Sequence, residues 1–355
     1  MAKILVGLSG GVDSATTAAI LKKQGHDVIG VTMAIWGDKK AASHKGTHGA
    51  CLGPDEKEDI KAAEKIAKYL QIPYYVLDCS KEYDDIVLKY FKNEYLSGRT
   101  PNPCIKCNAL IKFGVLPFVA REKGIEFDKF ATGHYARIIE NKGVYYLSQA
   151  KDKSKDQSYF LYKLTQEQLK NSLMPLGEYS KKEVRELAKS FGLEVSDKPD
   201  SQDFYEGDYN ELLGVSDKEG DIVDVNGKIL GKHRGIWNYT VGQRKGLGIS
   251  SIEPLYVIKL DKDTNTVVLG NLDNTFKKSL IATQINFPSN QKFNNGRYTA
   301  KIRSSQIPSD CDVEFFDDKI KVDFINYQKS IALGQSVVVY KDDIVVAGGI
   351  IDKTE

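Results

Sequence analysis

The chain has 355 residues, 28% charged and 41% hydrophobic, with a formal net charge of +2; this length favours two or three cores, and the composition excludes a disordered or fibrous chain. A charge so near zero excludes capture of a polyanion by bulk electrostatics and leaves that task to local basic clusters. No uncharged run reaches the ~20 residues of a membrane span and "MAKILVGLSGG" does not have the form of a leader, so a cytoplasmic protein is expected, with its five cysteines reduced.

"KILVGL" reads as a buried strand and "DSATTAAILKKQG" as a helix capped by Asp13 or Ser14 and stopped at Gly25. "DVIGVTMAIW" is the second strand, and "PDEKEDIKAAEKIAKYLQ" a helix with Ile60, Ala63, Ile66, Ala67 and Leu70 on one face. "PYYVLDC" and, after two helical stretches, "FDKFATGHY" supply two more strands. This rhythm predicts an α/β fold, a doubly wound parallel sheet covered on both faces, with "SKKEVRELAKSFGL" as a further capped helix. Beyond "SDKPDSQDFYEGDY" the chain turns to short strands punctuated by Gly, Asp and Asn, among them the hairpin signal "VNGK". The expected organisation is therefore a nucleotide-binding unit over 1–208, a small β-rich unit over 209–280 and a β-barrel over 281–355.

"GLSGGVDS" lies where the first strand ends and the first helix begins, so glycine lets backbone N–H groups approach an anion at the helix start. The spacing is that of neither the dinucleotide fingerprint nor the Walker loop. It resembles the PP-loop of the ATP pyrophosphatase superfamily, which implies ATP at Gly7, Leu8, Ser9, Gly10, Gly11, Val12, Asp13 and Ser14. It also implies Mg²⁺ at the phosphates, with Asp13 as a direct or outer-sphere ligand.

Further on, "TPNPCIKCNALIKF" puts Cys104 and Cys107 one helical turn apart, ahead of a helix with Ile111, Val115, Phe118 and Val119 turned inward. A thiol at a helix start gains thiolate character. Four uses of the pair stand open: a plain structural pair; a zinc site drawing on His44, His48 and Cys51; an iron–sulfur site with Cys51 or Cys79; and sulfur-transfer or redox chemistry.

A PP-loop followed by reactive thiols suggests sulfuration by way of an adenylate. The stretches "GLSGGVDS", "TPNPCIKCN", "TGHYARI", "KDQSYFLYKL", "MPLGEYSKKEVRELAKSFGL", "YTVGQRKGLGI" and "GQSVVVYKDDIVVAGGII" together resemble the tRNA-specific 2-thiouridylase family along nearly the whole chain. The resemblance implies ATP-dependent 2-thiolation of the wobble uridine of tRNA, with sulfur supplied by an upstream donor protein. It implies Cys107 as the catalytic nucleophile, Met33 and Gly133 as further nucleotide contacts, and Asn102 and Pro103 beside the target base. It also implies tRNA contacts at His134, Lys155, Asp156, Gln157, Arg303, Ser304 and Gln335. At two places the chain departs from the family pattern. Cys104 stands where the family has Asp, and "KPDSQDFYEGDY" carries no counterpart of the family's second catalytic cysteine. Either Cys104 and Cys107 share the two thiol roles, or the departures mark an iron–sulfur variant.

The residues on their own also admit plainer roles. His134 reads as a satisfied polar group at a strand end, Lys155 to Gln157 as a solvated loop, and Trp237 and Tyr239 as barrel core with "GQRKGLG" a phosphate-facing basic loop. The rival functions are a PP-loop amide or C–N ligase, which needs no thiol, and a tRNA-binding scaffold without turnover.

Overall fold

β1 (Lys3–Gly7) sends successive side chains to opposite faces of its sheet, and both faces are covered. Ile4 and Val6 pack with Ala15, Ala18 and Leu21 of α1 (Val12–Lys23) and with Ala63, Ile66 and Ala67 of α2 (Glu56–Tyr69). Leu5 faces the other way, into a core with Val31, Leu77, Cys107 and Ile111. The computed structural model describes residues 1–36, 56–194, 204–205 and 209–355. β2 (Asp27–Ala34), β3 (Tyr74–Asp78) and β4 (Lys129–Ala131) follow, then the hairpin β5 (Ala136–Asn141) and β6 (Val144–Gln149), then the short β7 (Ser172–Leu173). The first sheet runs β3-β2-β1-β4-β7 with every pairing parallel, as the alternation of strand and helix predicts.

β8 (Gly220–Asp224), β9 (Ile229–His233), β10 (Tyr256–Asp261) and β11 (Thr266–Gly270) form a second sheet in the order β10-β11-β8-β9. The predicted "VNGK" turn joins β8 to β9, with Gly227 at φ +85. Trp237 belongs to this core, buried beside Ile222, Val257 and Leu269, and its indole N–H donates to Asn210 Oδ1 at 2.6 Å. The core reading of Trp237 therefore holds, and the ring is no stacking platform for bases.

β12 (Phe276–Asn286), β13 (Gly296–Lys301), β14 (Ser309–Phe316), β15 (Lys319–Lys329), β16 (Ser336–Lys341) and β17 (Ile344–Thr354) make an antiparallel barrel, closed by the pairing of β12 with β17. The β5–β6 hairpin joins this sheet rather than the first one, with Ser148 paired to Ile344 and Arg137 Nη2 2.7 Å from Asp343. Val338, Tyr340 and Val345 of the barrel share a core with Leu5 and Val31, so the first unit and the barrel are packed as one body.

Two local expectations are corrected. Neither Asp13 nor Ser14 caps α1: the cap residue is Gly11, no side chain caps the turn, and Ser14 Oγ donates back to the Gly11 carbonyl at 3.1 Å. The thiols do not precede a helix but lie inside one, Pro103–Glu122, capped by Asn102 Oδ1 on the Ile105 N–H. This helix is apolar and long enough to cross a membrane by length and composition alone, yet Ile105, Ile111, Leu116 and Ala120 bury it in the core. Residues Cys107–Val115 have π-helical bonding, which rotates the later side chains relative to a regular helix. Ile111 points inward as expected, whereas Phe118 ends up 62% exposed.

Candidate active site

All strands of the first sheet being parallel, the loops leaving their C-terminal ends gather along one edge, where open α/β sheets bind ligands. The loop after β1 is held by its own hydroxyls: Ser9 N–H donates to Ser14 Oγ at 3.1 Å, and the two hydroxyls lie 3.2 Å apart. Gly10 needs its left-handed φ of +74, and a Cβ there would lie 2.8 Å from the Asp59 carbonyl oxygen. Leu8 is buried and its carbonyl accepts from Thr32 Oγ1 at 2.6 Å. Gly133, just beyond β4, packs on the same loop so closely that a Cβ would come within 2.9 Å of the Asp13 carbonyl carbon and the Ser14 nitrogen. Met33 sits near the end of β2, partly buried against the core that contains Cys107. Gly7 to Ser14, Gly133 and Met33 thus share one edge.

The carboxylate of Asp13 is already engaged. Lys181 Nζ lies 2.9 Å from both its oxygens, and the Tyr135 hydroxyl donates to Oδ1 at 2.8 Å. Neither partner was singled out from the sequence. The readable signal for Lys181 was the capping box Ser180–Glu183, which fixes Lys181 as the first residue of the helix Lys181–Ser190.

The thiols reach this edge from the far side of β2. Cys79 immediately follows β3, its N–H bonded to the Ala34 carbonyl at 2.8 Å, and it shares a core with Cys107. Burial pushes the Cys79 thiol up to about 12, and the charges of Glu82, Asp78 and Cys107 add to the effect, so it stays protonated. Cys79, directly after the C-terminal end of β3, is close enough to Cys107 for their charges to interact, and this places Cys107 toward the same rim of the sheet as the loop after β1. Cys104 is partly exposed and Cys107 buried. Lys106 lies over the Tyr90 ring at 5.0 Å, and burial together with the Lys106 charge lowers Lys163 to about 8. Lys106 and Lys163 thus bring two cationic side chains close together beside the thiol helix.

His134 joins the two halves. Its Nδ1 is 2.8 Å from Thr132 Oγ1 and its ring 5.8 Å from that of Phe113 on the thiol helix. One edge of the residue remains accessible, but the packing around the ring governs its charge. Burial, with the nearby charge of Lys112, brings it down to about 3, so the imidazole is neutral.

The expected tRNA contacts divide. Gln335 donates to the carbonyls of Thr100 at 3.3 Å and Pro101 at 3.1 Å, which stitches the barrel to the segment entering the thiol helix. Asp156 departs from the expectation of an RNA contact: its side chain is 0% exposed, 3.2 Å from the buried Lys301 ammonium and bonded to Gln149, Ala150 and Ser158. Gln157 Oε1 accepts from the Tyr135 N–H at 3.0 Å. Lys155 is exposed and Ser304 partly so. Arg303 donates to the Ser330 carbonyl at 2.8 Å.

Among the described residues no three His, Cys, Asp or Glu side chains converge as metal ligands. Among the described residues Cys104, Cys107 and Cys79 form no such group, and the Asp13 carboxylate is bonded to Lys181 and Tyr135. His44, His48, Cys51 and most of "KPDSQDFYEGDY" lie outside the described residues.

The chain matches three family profiles in succession: the tRNA methyl transferase HUP domain over residues 2–205, the tRNA methyl transferase PRC-barrel domain over 211–271, and the aminomethyltransferase beta-barrel domain over 277–351. It is 50% identical to a tRNA-specific 2-thiouridylase MnmA of Endomicrobium trichonymphae, with 98% of each chain covered. It is 46% identical to one of Clostridioides difficile, over 99% of this chain and 98% of that one. Among solved structures, a 4-thiouridine synthetase–RNA complex with bound ATP aligns at TM-score 0.32 and 18% identity, covering 56% of this chain and 43% of that chain.

Proposed function

Because the chain belongs to the tRNA-specific 2-thiouridylase family, we propose that it is a cytoplasmic enzyme that thiolates C2 of the wobble uridine of tRNA at the expense of ATP. The observation that supports this most is the sharing of one sheet edge by the loop after β1 and the thiols of the helix Pro103–Glu122. ATP seated on residues 7–14 presents its α-phosphate to the uracil O2 of a base splayed from its loop. Attack breaks the bond to the β-phosphate, and pyrophosphate leaves with the electron pair. The base oxygen, a poor leaving group, becomes part of AMP, a good one.

Sulfur arrives as a persulfide on Cys107, loaded by a donor protein. Its outer sulfur attacks C2 and AMP departs, leaving the base joined to Cys107 through a disulfide. The Cys104 thiolate then attacks the Cys107 sulfur, and the electron pair of the broken S–S bond goes to the sulfur on C2. Thiolated tRNA and a Cys104–Cys107 disulfide result, and a dithiol reductant reopens the disulfide with two electrons. Cys104 suits the resolving role because it is partly exposed and one helical turn from Cys107, whereas Cys79 is fully buried and protonated. The neutral His134 can hydrogen-bond to the base without placing a second charge beside the cationic lysines.

Cys107→Ser should abolish sulfur-35 transfer to tRNA while tRNA-dependent pyrophosphate release continues, and Cys104→Ser should stall with tRNA attached through a reducible bond. Full thiolation by Cys107→Ser would overturn this assignment. No pyrophosphate release even with tRNA would favour the scaffold alternative, and release that does not need tRNA would favour the ligase alternative.

A further inference from the structure

Asp156 lies between β6 and the 3₁₀ turn Ser158–Leu161, and both its oxygens are engaged. Oδ1 accepts from the N–H groups of Ala150 at 3.0 Å and Ser158 at 3.2 Å, and Oδ2 from Ser158 Oγ at 2.9 Å, Lys301 Nζ at 3.2 Å and Gln149 Nε2 at 3.3 Å. Lys301 ends β13 of the barrel, and its ammonium also lies over the Tyr340 ring at 5.8 Å. The carboxylate thereby fixes the backbone that carries the next residue, Gln157. Gln157 in turn holds Tyr135 by both backbone groups: its N–H donates to the Tyr135 carbonyl at 2.8 Å, and its Oε1 accepts from the Tyr135 N–H at 3.0 Å. Tyr135 is buried, follows His134, and sends its hydroxyl to Asp13 at 2.8 Å. One connected set of hydrogen bonds therefore runs from the barrel to the segment that joins the nucleotide loop to the thiol helix.

We propose that Lys301 is a positioning residue for the reaction: through Asp156 and Gln157 it sets where Tyr135 and the adjoining His134 stand when base and ATP meet. The inference rests on the adenylation reading given above. A buried ion pair is often no more stabilising than an apolar pair of similar volume, whereas a fully satisfied polar network holds its members in one arrangement. Without the ammonium, the carboxyl of Asp156 must take up a proton or turn toward water. Either change disturbs the acceptors on which the backbone around Gln157 depends, and a misplacement of about 1 Å at a reacting group can cost roughly a hundredfold in rate. Lys301 itself touches no substrate and stays charged throughout.

The test uses the full chain with Lys301→Met and, separately, with Gln157→Ala, which cuts the same connection but leaves the ion pair intact. Hydrogen exchange should show the N–H groups of Tyr135 and Gln157 at least tenfold faster in Lys301→Met, with those of β1 unchanged. In tRNA-dependent pyrophosphate release, kcat should fall at least tenfold in each variant while the KM values for ATP and tRNA stay within about twofold. The double variant should be no slower than Lys301→Met alone, since both changes break one chain of contacts. Gln157→Ala carries the test if Lys301→Met does not fold. Exchange that quickens equally in β1 and at Tyr135, an unchanged kcat in either variant, a rise in the KM for tRNA in place of the fall in kcat, or losses that multiply in the double variant would overturn the proposal. Wild-type protein that releases no pyrophosphate with tRNA, yet loosens only at Tyr135 and Gln157 on Lys301→Met, would support the link from Lys301 while overturning the adenylation reading.

Discussion

His134 couples the acid stability of the protein to its site. Burial, with the Lys112 charge, holds it at about 3 against an ordinary 6.5. Between those values the unfolded chain binds a proton that the folded chain refuses. Its contribution to stability is therefore complete above about 6.5 and is lost as pH falls toward 3. The melting temperature should drop between pH 7 and pH 5, and His134→Asn should shrink that drop; an equal drop in both proteins would show that other groups control it. Individual residues were legible in the sequence where local chain geometry sets their task. Gly10 and Gly133 lie where a loop leaves a strand, and Cys107 sits in a motif stiffened by two prolines. Lys181 and Asp156 were not legible in the same way, because each owes its role to a partner 168 or 145 residues away.

Among the elements, the segment that delivers the thiols is tied down from outside its own unit. Arg99 bonds Glu94 at 2.9 Å and Asp352 at 3.0 Å, Thr100 N–H donates to the Leu333 carbonyl at 2.8 Å, and Gln335 holds the next two carbonyls. Gly334 makes the contact feasible: its φ is +88, and a Cβ there would lie 2.9 Å from the Thr100 carbonyl oxygen. Gly334→Ala should therefore displace the thiol segment. Since a misplacement of about 1 Å can cost roughly a hundredfold in rate, thiolation should fall at least tenfold while the KM for ATP stays constant. A matching rise in that KM would place the damage at the nucleotide loop instead. Strands and helices were readable from their periodicity, as in β1, α2 and the β8–β9 hairpin. The π-helical stretch of the thiol helix was not, because it packs against residues 80–88 and 158–161, far from it in sequence, and Phe118 beyond it turns outward rather than inward.

Across the whole molecule, the ion pair of Asp156 and Lys301 clamps the loop after β6 to the barrel. Both side chains are nearly inaccessible, at 0% and 4% exposure. Removing one partner of such a pair leaves an uncompensated buried charge, so Asp156→Ala should cost about 3–5 kcal/mol in denaturant unfolding. The double replacement Asp156→Ala with Lys301→Met should recover much of that loss, and additive losses would argue that the two groups act independently. The parallel sheet and the strand-rich C-terminal half were legible from texture, whereas the attachment of the β5–β6 hairpin to the barrel was not, since sequence neighbours give no sign of it.

That attachment bears on the order in which the polypeptide can mature on the ribosome. Ser148 is synthesised roughly two hundred residues ahead of Ile344, the strand position against which it finally rests. Until the carboxyl-terminal portion emerges from the exit tunnel, the nascent hairpin has an unsatisfied edge, and a truncated product of the first two hundred residues or so would be a candidate for chaperone binding or proteolysis rather than a working half-enzyme.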